Sequence, residues 1–255
     1  MSMSMSMNLL PALKIYASTK KGRVLMTEQD RLGKAVKTVQ QYCPSYSVNL
    51  KKDSKVQKAI GWILGKIGNP DYMTSFVTTL GQTTYLPSTC DDGPGDGMWQ
   101  VILHEGQHAK DAQKIGNWVF GAAYLLPQLL GVLGIAYTLV VGIALLFGAP
   151  LALLWGCTSL LLLAPLPAFG RAYAEIRGYT VSLAVGFWSG TLGDEAAYLN
   201  GLVDIFSGPS YYYMWPFKSW VKSYFAQKLQ ELKTGTFVLT SYLAACKALS
   251  KELVG

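Results

Sequence analysis

The chain has 255 residues and a net charge of +7, with 51% hydrophobic and only 15% charged residues. An average soluble domain carries about a quarter charged residues, so a uniformly solvated protein is excluded. The length suffices for one sizeable core without forcing a division into domains. Residues 1–66 hold 12 Lys and Arg against Glu28, Asp30 and Asp53, a local net of +9, which leaves −2 for the remainder. No nucleic-acid reading motif accompanies this basic region. That argues against nucleic acid and leaves either anionic lipid or a plain solvated face as its counterpart.

The N-terminus, Met1 to Asn8, alternates Met and Ser, with neither an early positive region nor an apolar run. It is expected to be a disordered tail rather than an export signal, which puts the soluble part in the cytoplasm. Apolar spacing predicts helices over about 28–42 and 54–67, and Gly68-Asn69-Pro70 ends the second. These form a basic, helical region, 1–70. Residues 73–86, rich in Thr, Val, Phe and Tyr, read as extended structure interrupted at Gly81 and stopped by Pro87. Cys90 to Gly97 is a loop whose acids lack the calcium-loop spacing. A helix from Met98 to about Ile115 follows, completing a segment 71–117.

Between Lys114 and Arg171 no Asp, Glu, Lys, Arg or His occurs. Residues 118–169 are long enough for two apolar helices of about 20 residues, near 124–147 and 150–168, reversing at Gly148 and Pro150. A transmembrane hairpin is expected, the rival being a buried helical pair. Lys110, Lys114, Arg171 and Arg177 flank it and place both ends in the cytoplasm. Residues 170–255 then give helices near 171–186, 193–206, 217–232 and 237–251, with an aromatic loop at 208–217. The pattern as a whole is mainly α with a small β-sheet. Cys43, Cys90, Cys157 and Cys246 show no CxxC pairing. Cys157 reads as a buried small hydrophobe, and a Cys43–Cys90 disulfide stays open.

The only two histidines, His104 and His108, stand four apart in HEGQH. On a helix such residues share one face, one turn apart, and both rings reach one tetrahedral zinc ion. Glu105, next to them, is placed to act as general base toward a water on that metal. A catalytic zinc ion usually takes three protein ligands, and no third histidine exists. Glu175 is the leading carboxylate, because a two-helix excursion returns it beside the HEGQH helix. An ion pair with a neighbouring Arg is the other reading of Glu175. Asp194, Glu195 and a direct ligand role for Asp111 are weaker alternatives. Asp111, one turn past His108, either orients a histidine or pairs with Arg171 or Arg177.

Three segments, TTLGQTTYLP (78–87), VILHEGQHAKD (101–111) and GRAYAEIRGY (170–179), resemble the gluzincin branch of the zincin metallopeptidases. The resemblance implies a zincin-like α+β fold and a zinc cofactor, with His104, His108 and Glu175 as ligands and Glu105 as base. It also implies that Thr78, Thr79, Leu80, Gly81 and Gln82 lie in an edge strand that holds an extended peptide by strand addition. The ExxxD continuation of the larger gluzincins is absent, since Tyr179 stands in place of Asp. Tyr179, Tyr173, Tyr212 and Tyr213 are candidates for stabilising a tetrahedral oxyanion.

The expected function is therefore a zinc metallopeptidase, membrane-associated, with its catalytic part facing the cytoplasm and a peptide or protein as substrate. The alternative is a non-catalytic membrane or virion component that retains a zinc site.

Overall fold

The computed structural model describes residues 2–6, 26–66, 69–126, 128–148, 167–209 and 213–254. Helix α1 (Glu28–Gln40) starts at a capping box in which Thr27 Oγ1 accepts from the Asp30 amide at 3.1 Å and the Asp30 carboxylate accepts from the Thr27 amide at 3.3 Å. Strand β2 (Ser47–Leu50) leads into α2 (Lys55–Lys66) and a single helical turn, α3 (Tyr72–Ser75). The segment expected to be extended from 73 is therefore helical up to Ser75. Strands β3 (Phe76–Leu80) and β4 (Thr83–Leu86) form a hairpin. Gly81 takes the left-handed backbone (φ +61°) that its turn requires. Gln82 Nε2 donates to Asn117 Oδ1 at 2.8 Å, pinning the turn to the helix beyond the HEGQH segment.

β2 runs parallel to β4, and β3 antiparallel to β4. The fold is thus mainly helical with a small mixed sheet. Two expectations change here. Ser2–Ser6, read from sequence as a disordered tail, forms a strand, β1, antiparallel to β3 with Ser2 opposite Thr79 and Met3 opposite Thr78. The outer side of β3 from Phe76 to Thr79 consequently carries the chain's own N-terminal residues instead of a free edge. Backbone donors along an edge strand are satisfied by whichever strand is nearest, and here that strand is local.

Helix α4 (Met98–Ile115), bearing HEGQH, runs through the core between α1, the sheet and α7 (Phe169–Ser189). Every residue from Val101 to Ala109 is buried. Gly106 makes this enclosure fit: a Cβ there would stand 2.4 Å from both Val39 Cγ2 and the Tyr242 hydroxyl. That hydroxyl, on α10 (Ser241–Val254), donates instead to the Leu103 carbonyl at 2.6 Å. Helices α8 (Glu195–Ser207) and α9 (Lys218–Thr234) pack together on the C-terminal side of the core. Cys43 and Cys90 are both buried and free, so the disulfide left open by the sequence is not formed; Cys157 lies outside the described residues.

The charge-free tract departs most from expectation. It opens with α5 (Asn117–Leu125), and the chain then passes through Pro127 into α6 (Gln128–Leu146). Among the described residues, no helix is long and apolar enough to cross a membrane. The expected second span falls almost entirely outside those residues. α5 instead turns Phe120 and Tyr124 inward, where they pack with Ala112 and Ala174 beside the histidines. The segment boundary expected at 117/118 therefore runs through the site. α6 leaves Leu133, Leu139, Val140 and Ile143 exposed.

Candidate metal centre

α4 presents His104 and His108 to α7, and Glu175 meets them from α7. His104 Nε2 lies 3.1 Å from His108 Nε2 and 3.5 Å from Glu175 Oε2, and His108 Nε2 lies 3.7 Å from the same oxygen. A tetrahedral ion with bonds of about 2.0–2.1 Å holds its ligand atoms about 3.3–3.4 Å apart. The observed triangle brackets that spacing. All three side chains are fully buried.

A hydrogen bond at the His104 ring directs its free lone pair toward the other two donors. Ser182 Oγ donates weakly to the Gly178 carbonyl (3.4 Å) and lies 2.9 Å from His104 Nδ1. With its own proton directed at Gly178, the hydroxyl accepts from His104 Nδ1–H, which leaves His104 Nε2 unprotonated and facing Glu175. Gly178 supplies the room: a Cβ at that position would stand 2.6 Å from His104 Nε2. Tyr179 lies edge-on against the same ring, centroids 4.7 Å apart.

Three buried groups at this spot lack a hydrogen-bond partner for one or more atoms: Glu175 Oε2, His108 Nδ1 and both carboxylate oxygens of Glu105. Burying a carboxylate without a partner is costly, and the cost at Glu175 falls away if a cation sits between Oε2 and the two imidazoles. Burial pushes the Glu175 carboxyl up, but the adjoining His108 and His104 rings more than offset this and hold it well below the usual range. Two nitrogens and one carboxylate oxygen make a donor set of the kind that binds zinc. The residues present fit a divalent ion.

No family model, curated protein or solved structure matches the chain. The chemistry of the site therefore rests on its own atoms.

Glu105, next to His104 on α4, lies where the cradle borders the sheet, within electrostatic reach of His104 and Glu175 on one side and Thr79 and Lys51 on the other. Burial raises its pKa to about 7, opposed chiefly by His104. Nearby, the fully buried Lys51 donates from Nζ to the Tyr72 carbonyl at 2.6 Å and lies 3.4 Å from the Tyr72 ring centroid. Burial pushes Lys51 down to about 7, with Glu105 opposing. A hydroxyl chain, Tyr46–Thr84–Thr79, with contacts of 2.8 and 2.6 Å, crosses the sheet on this side.

Of the other sequence candidates, Asp111 takes the second of its two expected roles, pairing with Arg177 rather than orienting a histidine. It receives Arg177 Nε and Nη2 at 2.8 Å each and Gln107 Nε2 at 2.9 Å, clamping α4 to α7, because its side chain points past the rings toward the charged rim. Asp194 accepts from the Ala197 amide at 2.7 Å as the cap of α8, and Glu195 pairs with Lys233 at 2.5 Å, so neither is a third ligand. Tyr179 is sealed in the core, and Tyr173 is two-thirds exposed with Arg177 over its ring. Tyr213 is exposed on the loop after α8, and Tyr212 lies outside the described residues.

Sequence reasoning missed Ser182, Gly178 and Tyr124. Gly178 and Ser182 follow Glu175 at i+3 and i+7, a small-residue face readable from helical spacing. Tyr124, whose hydroxyl donates to Glu175 Oε1 at 2.6 Å, lay in a tract whose hydropathy masked its polar tip.

Proposed function

We propose that the chain is a zinc-dependent metallopeptidase. The observation that supports it is the convergence of His104, His108 and Glu175 on one buried point, with an unpartnered carboxylate, Glu105, on the residue between the two histidines' turns. A zinc ion held by these three side chains would supply Lewis acidity, polarising a carbonyl and drawing the pKa of a coordinated water down to about 7. Glu105 would serve as the proton carrier, accepting a proton from the attacking water and returning it to the leaving nitrogen as the C–N bond breaks. Ser182 keeps His104 in the tautomer that offers Nε2 to the ion, and the buried walls exclude bulk solvent.

Complete burial of the ligands favours a second reading, a structural zinc site without catalysis, since structural sites are closed. A structural site has no use for a buried acid without a partner, which favours the first. Purified protein is expected to hold one zinc per chain by elemental analysis and to hydrolyse an unstructured protein such as casein. A chelator should stop hydrolysis and added zinc restore it. Absence of bound metal in protein purified and dialysed with zinc would sink both readings.

The apolar side chains that α6 exposes support attachment to a lipid surface as part of this proposal. Co-flotation with anionic vesicles tests it: the protein is expected to rise with the lipid, and protein left wholly in the dense fraction would remove the membrane from the reading.

A further inference from the structure

The two oxygens of Glu175 are held in different ways. Oε2 faces both imidazoles and has no hydrogen-bond partner, whereas Oε1 accepts from the Tyr124 hydroxyl at 2.6 Å. A carboxylate against a divalent ion binds through one oxygen or through both, and the choice fixes how many positions are left for water and substrate. We infer that Tyr124 is a positioning residue that holds Glu175 as a one-oxygen ligand and so keeps the fourth position of the metal open. This rests on the reading of the site as a metal centre.

Tyr124 is itself built into place. It is 2% exposed. The Arg171 guanidinium lies over its ring, 4.8 Å from the centroid, and Arg171 Nε donates to its carbonyl at 3.3 Å. A cation over the ring draws electron density from the phenol and strengthens its O–H as a donor. Phe120 stacks on Tyr124, centroids 6.1 Å apart, and the His108 ring meets Tyr124 edge-on at 6.5 Å. Close approach of α5 to α7 is set by Gly170, where a Cβ would stand 2.2 Å from the Ala123 carbonyl oxygen. Glycine at 170, arginine at 171 and glutamate at 175 thus sit on α7 and meet two adjacent residues of α5, Ala123 and Tyr124. Direct participation of Tyr124 as an oxyanion donor is disfavoured by this geometry, because its proton is already committed to Glu175.

The test compares wild type with Tyr124→Phe, which removes only the hydroxyl. With the hydroxyl gone, Oε1 is left buried and unpaired and turns to the metal, raising the coordination number. Zinc affinity, measured against a chromophoric chelator, is expected to fall roughly 10-fold. Cobalt-substituted wild type should show the intense visible bands of a four-coordinate ion, and Tyr124→Phe bands about two- to three-fold weaker, as for five-coordination. Leu229→Ala, a packing change on α9, which contributes no residue to the metal site, should lower the melting temperature and leave the cobalt spectrum as it is. Zinc X-ray absorption of wild type should show no second, longer Glu175 oxygen. That measurement keeps the inference testable even if Tyr124→Phe folds poorly. Wild-type affinity and an unchanged spectrum in Tyr124→Phe, or a two-oxygen Glu175 in wild type, overturns the inference while the metal centre stands. Failure of wild type to bind zinc or cobalt at all overturns the metal centre instead.

Discussion

Replacing Glu105 by Gln is expected to cut peptide hydrolysis by about three orders of magnitude while one zinc per chain stays bound. The two side chains share shape and volume, so the helix and the neighbouring histidines need not move. What is lost is the capacity to accept a proton. A neutral amide cannot take one from water, and the metal alone leaves the water without a base positioned beside it. The same substitution should raise stability. Glu105 is wholly buried with neither oxygen hydrogen-bonded, and its pKa is pushed up to about 7, so above neutral pH the native state holds a charge in a poorly solvating place. Removing an unsatisfied charged group of this kind relieves about 1–3 kcal/mol, worth a few degrees in melting temperature for a chain of this size. Loss of activity with gain of stability is the signature of a residue kept for chemistry. Retention of full hydrolysis in the variant would remove Glu105 from the mechanism, and loss of zinc with it would make the residue a structural part of the site.

Part of this site was legible before any coordinates. Two histidines four apart dictate a shared helical face, and a chain with no other histidine dictates that a third ligand be an acid or a thiol. Glu175 followed from counting helices: whatever residues 118–169 do, an excursion that leaves α4 and returns as α7 brings position 175 back beside position 108. The nature of the excursion was not legible. Hydropathy records how apolar a residue is and not what covers it, so Phe120 counted toward the apolar tract and Tyr124 toward its first span although both line the site. Pro127, which separates α5 from α6, was the available hint that the first part of the tract serves the core. The strand edge was hidden for a different reason. Whether Thr78 and Thr79 face a free edge depends on a partner about 75 residues away in sequence, and the alternating Met and Ser of residues 1–7 carry no buried face to announce a strand. Asp111 was ambiguous because an acid one turn past a histidine reaches either inward to the ring or outward to a cation, and only the side-chain direction decides.

Gly178→Ala is expected to weaken zinc binding on the order of 100-fold although position 178 offers no ligand. The added methyl would stand 2.6 Å from His104 Nε2 and 2.7 Å from Cε1, distances no carbon tolerates. Neither way out preserves the site. If the ring swings aside, Nδ1 leaves Ser182 and Nε2 leaves the ligand triangle. If α7 backs away from α4 instead, Glu175 goes with it, and the tight packing of Ala174, Val181 and Ala184 is spoiled at a cost of about 1–3 kcal/mol. Gly33→Ala is the matching control: it is also helical, has nothing within 4 Å of the new methyl, and should be neutral or gain up to about 1 kcal/mol without touching metal affinity. Zinc titration of both variants, with far-UV circular dichroism to confirm that the helices persist, separates the outcomes. Wild-type affinity in Gly178→Ala would mean that His104 does not occupy the place assigned to it, because the ring and the methyl cannot share that volume.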